Sequence, residues 1–117
     1  MEIIKKDQRV THAGESGATA HEYSSKNTNI NFALVEIHGR FPEEGVMYNT
    51  VCDELVHIMA GECVLIDASG EHKMVAGDTV IITPNEKYFW TGQATVATVC
   101  TPPWTFDQQV REPEAEL

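Results

Sequence analysis

Between Asn31 and Cys100 the chain is cut into short β-prone runs by glycine, proline and aspartate turns, and this spacing constrains the fold more than any other feature. Phe32-Ala33-Leu34-Val35 and Ile37 form one apolar, strand-prone run that ends at His38-Gly39-Arg40-Phe41-Pro42. Thr50 to Ala60 reads as a second strand closed by Gly61, followed by Cys63 to Ile66, the turn Asp67-Ala68-Ser69-Gly70, and a return strand from His72 to Val75. Further strands are expected at Thr79 to Ile82, at Tyr88 to Trp90 ending at Gly92, and at Ala94 to Cys100. The turns Ala76-Gly77-Asp78 and Pro84-Asn85-Glu86 punctuate them. No window of a dozen residues sustains a 3.6-residue apolar period free of Gly or Pro. The pattern therefore predicts an all-β sandwich or barrel.

With 117 residues the chain fits one domain. Residues 1–30 read as a Thr/Ser/Gly/Asn-rich lead with room for one edge strand near Ala20 to Tyr23, residues 31–106 as the barrel, and residues 107–117 as an acidic tail. The tail carries Glu112, Glu114 and Glu116 around Pro113 and is expected to fray into solvent. Eight basic residues against eighteen acidic ones leave a net charge of -10, which repels a phosphate backbone and argues against a nucleic-acid partner. No run reaches the about 18 apolar residues of a membrane span, and the first residues lack the apolar stretch of a secretion signal, so the cytoplasm is the expected compartment. Cys52, Cys63 and Cys100 form no CxxC pair and are expected to be reduced and buried.

Two stretches carry a family resemblance. Glu54-Leu55-Val56-His57-Ile58-Met59-Ala60-Gly61 is similar to the second half of the first cupin motif, in which a Glu precedes the Gly of a tight turn by six spacers. Gly77-Asp78-Thr79-Val80-Ile81-Ile82-Thr83-Pro84-Asn85-Glu86-Lys87-Tyr88 resembles the second motif, and a hairpin joins the two. The resemblance implies a cupin-type jelly-roll barrel (double-stranded β-helix), and because such barrels commonly pair through their sheets it also implies a homodimer. Ile3-Ile4 and the strand around Ala33 to Ile37 are the apolar edges expected to be covered. Metal-binding cupins place a His-x-His pair just before the motif Glu, where this chain has Met47, Tyr48, Asn49 and Thr50, and a second-motif His where it has Tyr88. Of the familiar ligands only Glu54 remains. One carboxylate binds a divalent transition metal weakly, so no tightly held metal or other cofactor is expected.

Strand alternation places Cys52, Val56 and Ile58 on the same face as Glu54, barring a bulge, and turns His57 away. A cavity-facing Glu54 is a candidate general acid or base with a raised pKa, or a carboxyl tied to a Tyr or to backbone. Tyr88 and Trp90 share parity and serve either as an aromatic cavity wall with one hydroxyl donor or as core, and Lys87 points outward. Trp104 is expected to cap the mouth or to pack outside. Cys52 and Cys100 are placed to approach each other, with inert burial favoured over thiol chemistry. His21 or His38 is the histidine best placed to reach the mouth. The reading is a small-molecule-binding cupin whose cavity is lined by Asn49, Cys52, Glu54, Tyr88 and Trp90. An alternative is a metal-independent isomerase or epimerase using Glu54 and Tyr88 as acid and base, and a third is a weak, non-standard metal site.

Overall fold

The computed structural model describes residues 1–13 and 17–117. Among the described residues nine strands form one curled sheet: β1 (Val10–His12), β2 (Ala18–Tyr23), β3 (Asn31–His38), β4 (Val46–Asn49), β5 (Asp53–Asp67), β6 (Gly70–Val75), β7 (Thr79–Ile82), β8 (Tyr88–Thr101) and β9 (Gln109–Glu112). Neighbours run β1-β2-β3-β8-β4-β9, and β5 pairs with β6, β7 and β8. Among the described residues the helical segments are three-residue 3₁₀ turns, in keeping with the all-β expectation.

The backbone of the barrel is the pairing of β5 with β8, antiparallel from Asp53 opposite Thr101 to Asp67 opposite Tyr88. Here the sequence reading needs correction, because Gly61 and Gly92 do not end strands but bend two long continuous ones. Both have positive φ, +80° and +119°, and the two strands approach so closely that a Cβ on Gly61 would lie 2.2 Å from the Gln93 carbonyl oxygen, and one on Gly92 2.8 Å from Cys63 Cα. A bulge at Met59 accompanies the bend: Ile58 faces Val96 while Ala60 faces Thr95. The extra residue resets the alternation, so Ile58 and Cys63, five positions apart, both point inward.

The core gathers Ile37, Val56, Ile58, Leu65, Trp90 and Val96 along the inner face. Each such side chain, when fully buried, contributes about 1.5–3 kcal/mol of transfer free energy. Cys52, Cys63 and Cys100 are free and buried.

Both ends of the chain are more ordered in the sheet than their composition suggests. The lead supplies two strands, β2 pairing with β3 from Ala18 opposite Ile37 to Tyr23 opposite Phe32, and β1 pairing outside it. The acidic tail does not fray: β9 pairs with β4 from Val46 opposite Glu112 to Asn49 opposite Gln109. Its charges find partners, Glu112 with Lys87 at 2.8 Å and Glu114 with Arg40 at 2.8 Å. A ladder of backbone bonds and two ion pairs outweighs the polarity that marks the segment for solvent. Among the described residues no helix is long and apolar enough to cross a membrane.

Candidate active site in the barrel

Register sets the site. Glu54 lies between Ile82 of β7 and Cys100 of β8, and all three side chains share the inner face. Tyr88 enters from the far end of β8, and the curl of the sheet carries its ring across the interior to the same carboxylate. The Tyr88 hydroxyl donates to Glu54 Oε1 at 3.3 Å, and the Cys100 thiol donates to Oε2 at 3.3 Å. Trp90 stands edge-on to Tyr88 with ring centroids 6.4 Å apart, which holds the phenol in place.

Desolvation raises the Glu54 pKa above its ordinary value, because the two hydrogen bonds that favour the charged form do not offset the loss of water. Tyr88 is pushed well above the usual phenol range, first by burial and then by the Glu54 charge. The Cys100 thiol is also pushed up, first by its contact with the Cys52 thiol, then by burial and by Glu54. Both donors therefore keep their protons, and the carboxyl is the acid of the three whose charge the cavity holds back by burial.

These groups form one end of a cavity of about 870 Å³. Its walls are largely apolar and aromatic, with Phe41, Met47, Val56, Trp90, Val96 and Trp104 among them. The exposed members of the lining, His12, Ala13, Thr105, Phe106 and Arg111, mark the mouth, bounded by the end of β1 and by the segment from Thr105 into β9. Gln109 and Arg111 of β9 also line the cavity. Arg111 is in a row with Met47 and Tyr88 across β9, β4 and β8, two strand spacings or about 10 Å from Tyr88 along the backbone.

Glu54, Tyr88 and Trp90 thus line one cavity. Asn49 and Cys52 do not, although their parity points them inward. The chain after β8 turns beneath that end of the barrel, where the Trp104 indole N–H donates to Asn49 Oδ1 at 3.0 Å and Gln108 Oε1 accepts from the Cys52 backbone N–H at 2.9 Å. Trp104 takes the exposed place in the wall and Asn49 becomes its buried anchor. His57 faces outward and bonds Thr79, and Lys87 faces Glu112. His21 and His38 do not reach the mouth. His21 is held by Thr11 and Glu36 and His38 by Thr19, whereas His12 of β1 is the histidine at the opening. Arg111 and His12 escaped the sequence reading because each lies in a segment read as loop or tail, and the polar alternation of Gln109 and Arg111 about Val110 was the one available signal.

The donor set does not fit a resident divalent metal. Among the described residues no three His, Cys, Asp or Glu side chains converge on one point, and the two Glu54 oxygens face a phenol and a thiol that hold their protons.

No family model matches the sequence, and no curated protein matches it. Solved structures do. Pac13, a nucleoside dehydratase from Streptomyces, superposes with a TM-score of 0.84 at 14% identity over 99% of this chain and 97% of its own. A sugar phosphate isomerase of the cupin superfamily from Silicibacter pomeroyi matches with a TM-score of 0.66 at 23% identity over 87% of this chain and 76% of its own. The fold is the cupin barrel. Ectoine synthase from P. lautus is a third similar barrel, with a TM-score of 0.75 at 12% identity over 96% of this chain and 90% of its own. At these identities the cupin likeness is one of architecture, and the chemistry must be argued from the residues of this barrel.

Proposed function

We propose that this cupin binds a small polar organic molecule inside the barrel, with Glu54 as the group that meets the ligand's hydroxyl or amide. The observation that carries the reading is the Glu54 carboxyl, tethered by Tyr88 and Cys100 at one end of an aromatic-walled cavity of about 870 Å³. Ligand sites are commonly apolar concavities with a few convergent polar groups, and a volume in this range accommodates a nucleoside or a sugar derivative. Similar barrels act on molecules of this kind: Pac13 has been seen with uridine, and another is a sugar phosphate isomerase. We place the chain in the cytoplasm, where its three free thiols stay reduced.

A second reading, metal-independent proton-transfer catalysis, is favoured by the Tyr88–Glu54 hydrogen bond. Glu54, when ionised, takes a proton from a substrate carbon or hydroxyl, and Tyr88 returns its hydroxyl proton to the substrate, as an isomerase or epimerase reaction requires. The phenol then recovers a proton from the carboxyl along the same bond. Positioned groups of this kind supply about 10²–10⁴-fold each.

Titration calorimetry with uridine, sugar phosphates and amino-acid derivatives tests the binding reading on wild type and on Glu54→Gln. The substitution preserves size and the acceptor for Tyr88, so it is expected to fold and to weaken any binder by tenfold or more. Equal affinities in the two proteins, or no binder that distinguishes them, would overturn it. Loss of proton exchange with solvent in Glu54→Gln while binding persists separates the catalytic reading from plain binding.

A further inference from the structure

The segment between β8 and β9 carries the most exposed aromatic side chain among the described residues. Phe106 is 83% exposed, against 38% for Phe32, the next. It stands at the mouth of the cavity, and both it and Trp104 belong to the lining. Their ring planes are perpendicular with centroids 6.3 Å apart, so the two rings make an aromatic corner at the opening. The tether of Glu54, made by Tyr88 and Cys100, uses neither of them.

A phenyl ring left in water forgoes the gain of burial, and a loose loop would fold it away. This segment is fastened. Gln108, 6% exposed, donates through Nε2 to the Pro103 carbonyl at 3.3 Å and to the Thr105 hydroxyl at 3.2 Å, while its Oε1 accepts from the Cys52 backbone N–H. Phe106 opens the three-residue 3₁₀ turn that Gln108 closes. Trp104 is held at two points, its backbone N–H on Asn31 Oδ1 at 3.2 Å and its indole N–H on Asn49. A corner fixed before a ligand arrives loses little freedom when one binds.

The corner has a defined relation to Glu54. Asn31 of β3, which holds Trp104, is opposite Cys100 of β8, and Cys100 is opposite Glu54 of β5. Two strand spacings, about 10 Å along the sheet, thus separate the anchor of the corner from the carboxyl. A single sugar ring spans only part of that distance, whereas a hydroxylated unit joined to a flat ring spans it.

We propose, resting on the binding reading given above, that Trp104 and Phe106 form a subsite for a flat heteroaromatic ring, and that the ligand joins such a ring to the hydroxylated unit that meets Glu54. Aromatic side chains pack against a flat π-system by stacking or edge-on contact, whatever the hydrogen-bonding pattern of its edge. The corner therefore selects for planarity, and Glu54 for the hydroxyl.

Titration calorimetry with uridine, adenosine, dihydrouridine and D-ribose tests the subsite. Dihydrouridine keeps every polar atom of uridine and loses the planar ring. Wild type is expected to bind both nucleosides and to prefer uridine over dihydrouridine by about fivefold or more, the scale of one stacked base. Phe106→Ala should abolish that preference by weakening uridine alone, and Phe106→Tyr should keep it. Phe106 is exposed, so both variants fold, which thermal unfolding verifies. Glu54→Gln should weaken every bound probe by a common factor and leave the preference in place. A wild type that binds neither nucleoside, equal affinities for uridine and dihydrouridine, or an unchanged preference in Phe106→Ala would each overturn the ring subsite, and weakening by Glu54→Gln would still support the binding reading. A preference lost in Phe106→Ala, beside a Glu54→Gln variant equal to wild type, would instead remove Glu54 from the site and support the corner. A Phe106→Ala variant altered in sedimentation mass and unaltered in affinity would assign the ring to contact between chains and refute the proposal.

Discussion

Replacing Tyr88 by Phe removes one hydroxyl from the interior and tests the electrostatics of the site directly. The hydroxyl donates to Glu54 at 3.3 Å, and it is fully sequestered from water. A hydrogen bond to a charged group contributes about 1.5–3 kcal/mol and one to a neutral partner about 0.5–1.5. The cost of Tyr88→Phe is therefore set by whether Glu54 is ionised. Glu54 has a folded-state pKa above its ordinary value, so the folded chain holds that proton more tightly than the unfolded one. The resulting stabilisation is complete below the ordinary value near 4.5 and is lost as pH rises through the folded value. Tyr88 is one of the groups lowering that value, so its removal raises it further and extends the loss to higher pH. Destabilisation by Tyr88→Phe is thus expected to grow from the lower range toward the upper range as pH rises through the folded value of Glu54. With an unfolding entropy of about 2.1 cal/mol/K per residue over 117 residues, 1 kcal/mol corresponds to about 4 °C, and the Tm deficit should widen from about 2–6 °C to about 6–12 °C. Urea unfolding across a pH series kept above the pI of about 4.7, where the chain is least soluble, reads the difference. A deficit independent of pH would mean that Glu54 does not change its charge across this range.

Two further outcomes follow from the same geometry. Protein purified without chelator should carry well under one equivalent of iron, manganese, nickel or zinc by elemental analysis, since one carboxyl flanked by a phenol and a thiol makes a poor donor set; a stoichiometric metal that survives dialysis would refute this. Gly92→Ala should cost about 2–4 kcal/mol in denaturant unfolding, because φ of +119° strains any side chain and its Cβ would meet Glu62 O and Cys63 Cα at 2.8 Å; a loss below about 1 kcal/mol would show that β5 and β8 separate there at little cost.

Local chemistry made much of the architecture legible. The hairpin at Asp67-Ala68-Ser69-Gly70 forms where its turn residues demand, and β6 and β7 begin and end close to the expected places. Parity correctly set Glu54 and Val56 against His57, because in a strand the direction of a side chain follows from counting. Counting failed where the period was broken. Gly61 and Gly92 read as strand ends, yet a glycine also serves a strand that must bend against a neighbour, and the neighbour is about thirty residues away in sequence.

Glu54, Tyr88 and Trp90 were therefore readable as a set from the sequence alone, since two strands with known parity and a barrel to close them suffice to bring them inside. The sequence likewise determined the all-β class, because turn residues are local properties. Only the tertiary structure decided that Trp104 takes the wall position Asn49 would otherwise hold, that the Cys100 thiol rather than Cys52 reaches the carboxylate, and that the tail returns to place Arg111 beside the cavity. Each of these depends on which distant segments meet when the sheet curls. That choice is made by the summed free energy of the whole barrel, to which no single stretch of sequence carries the answer.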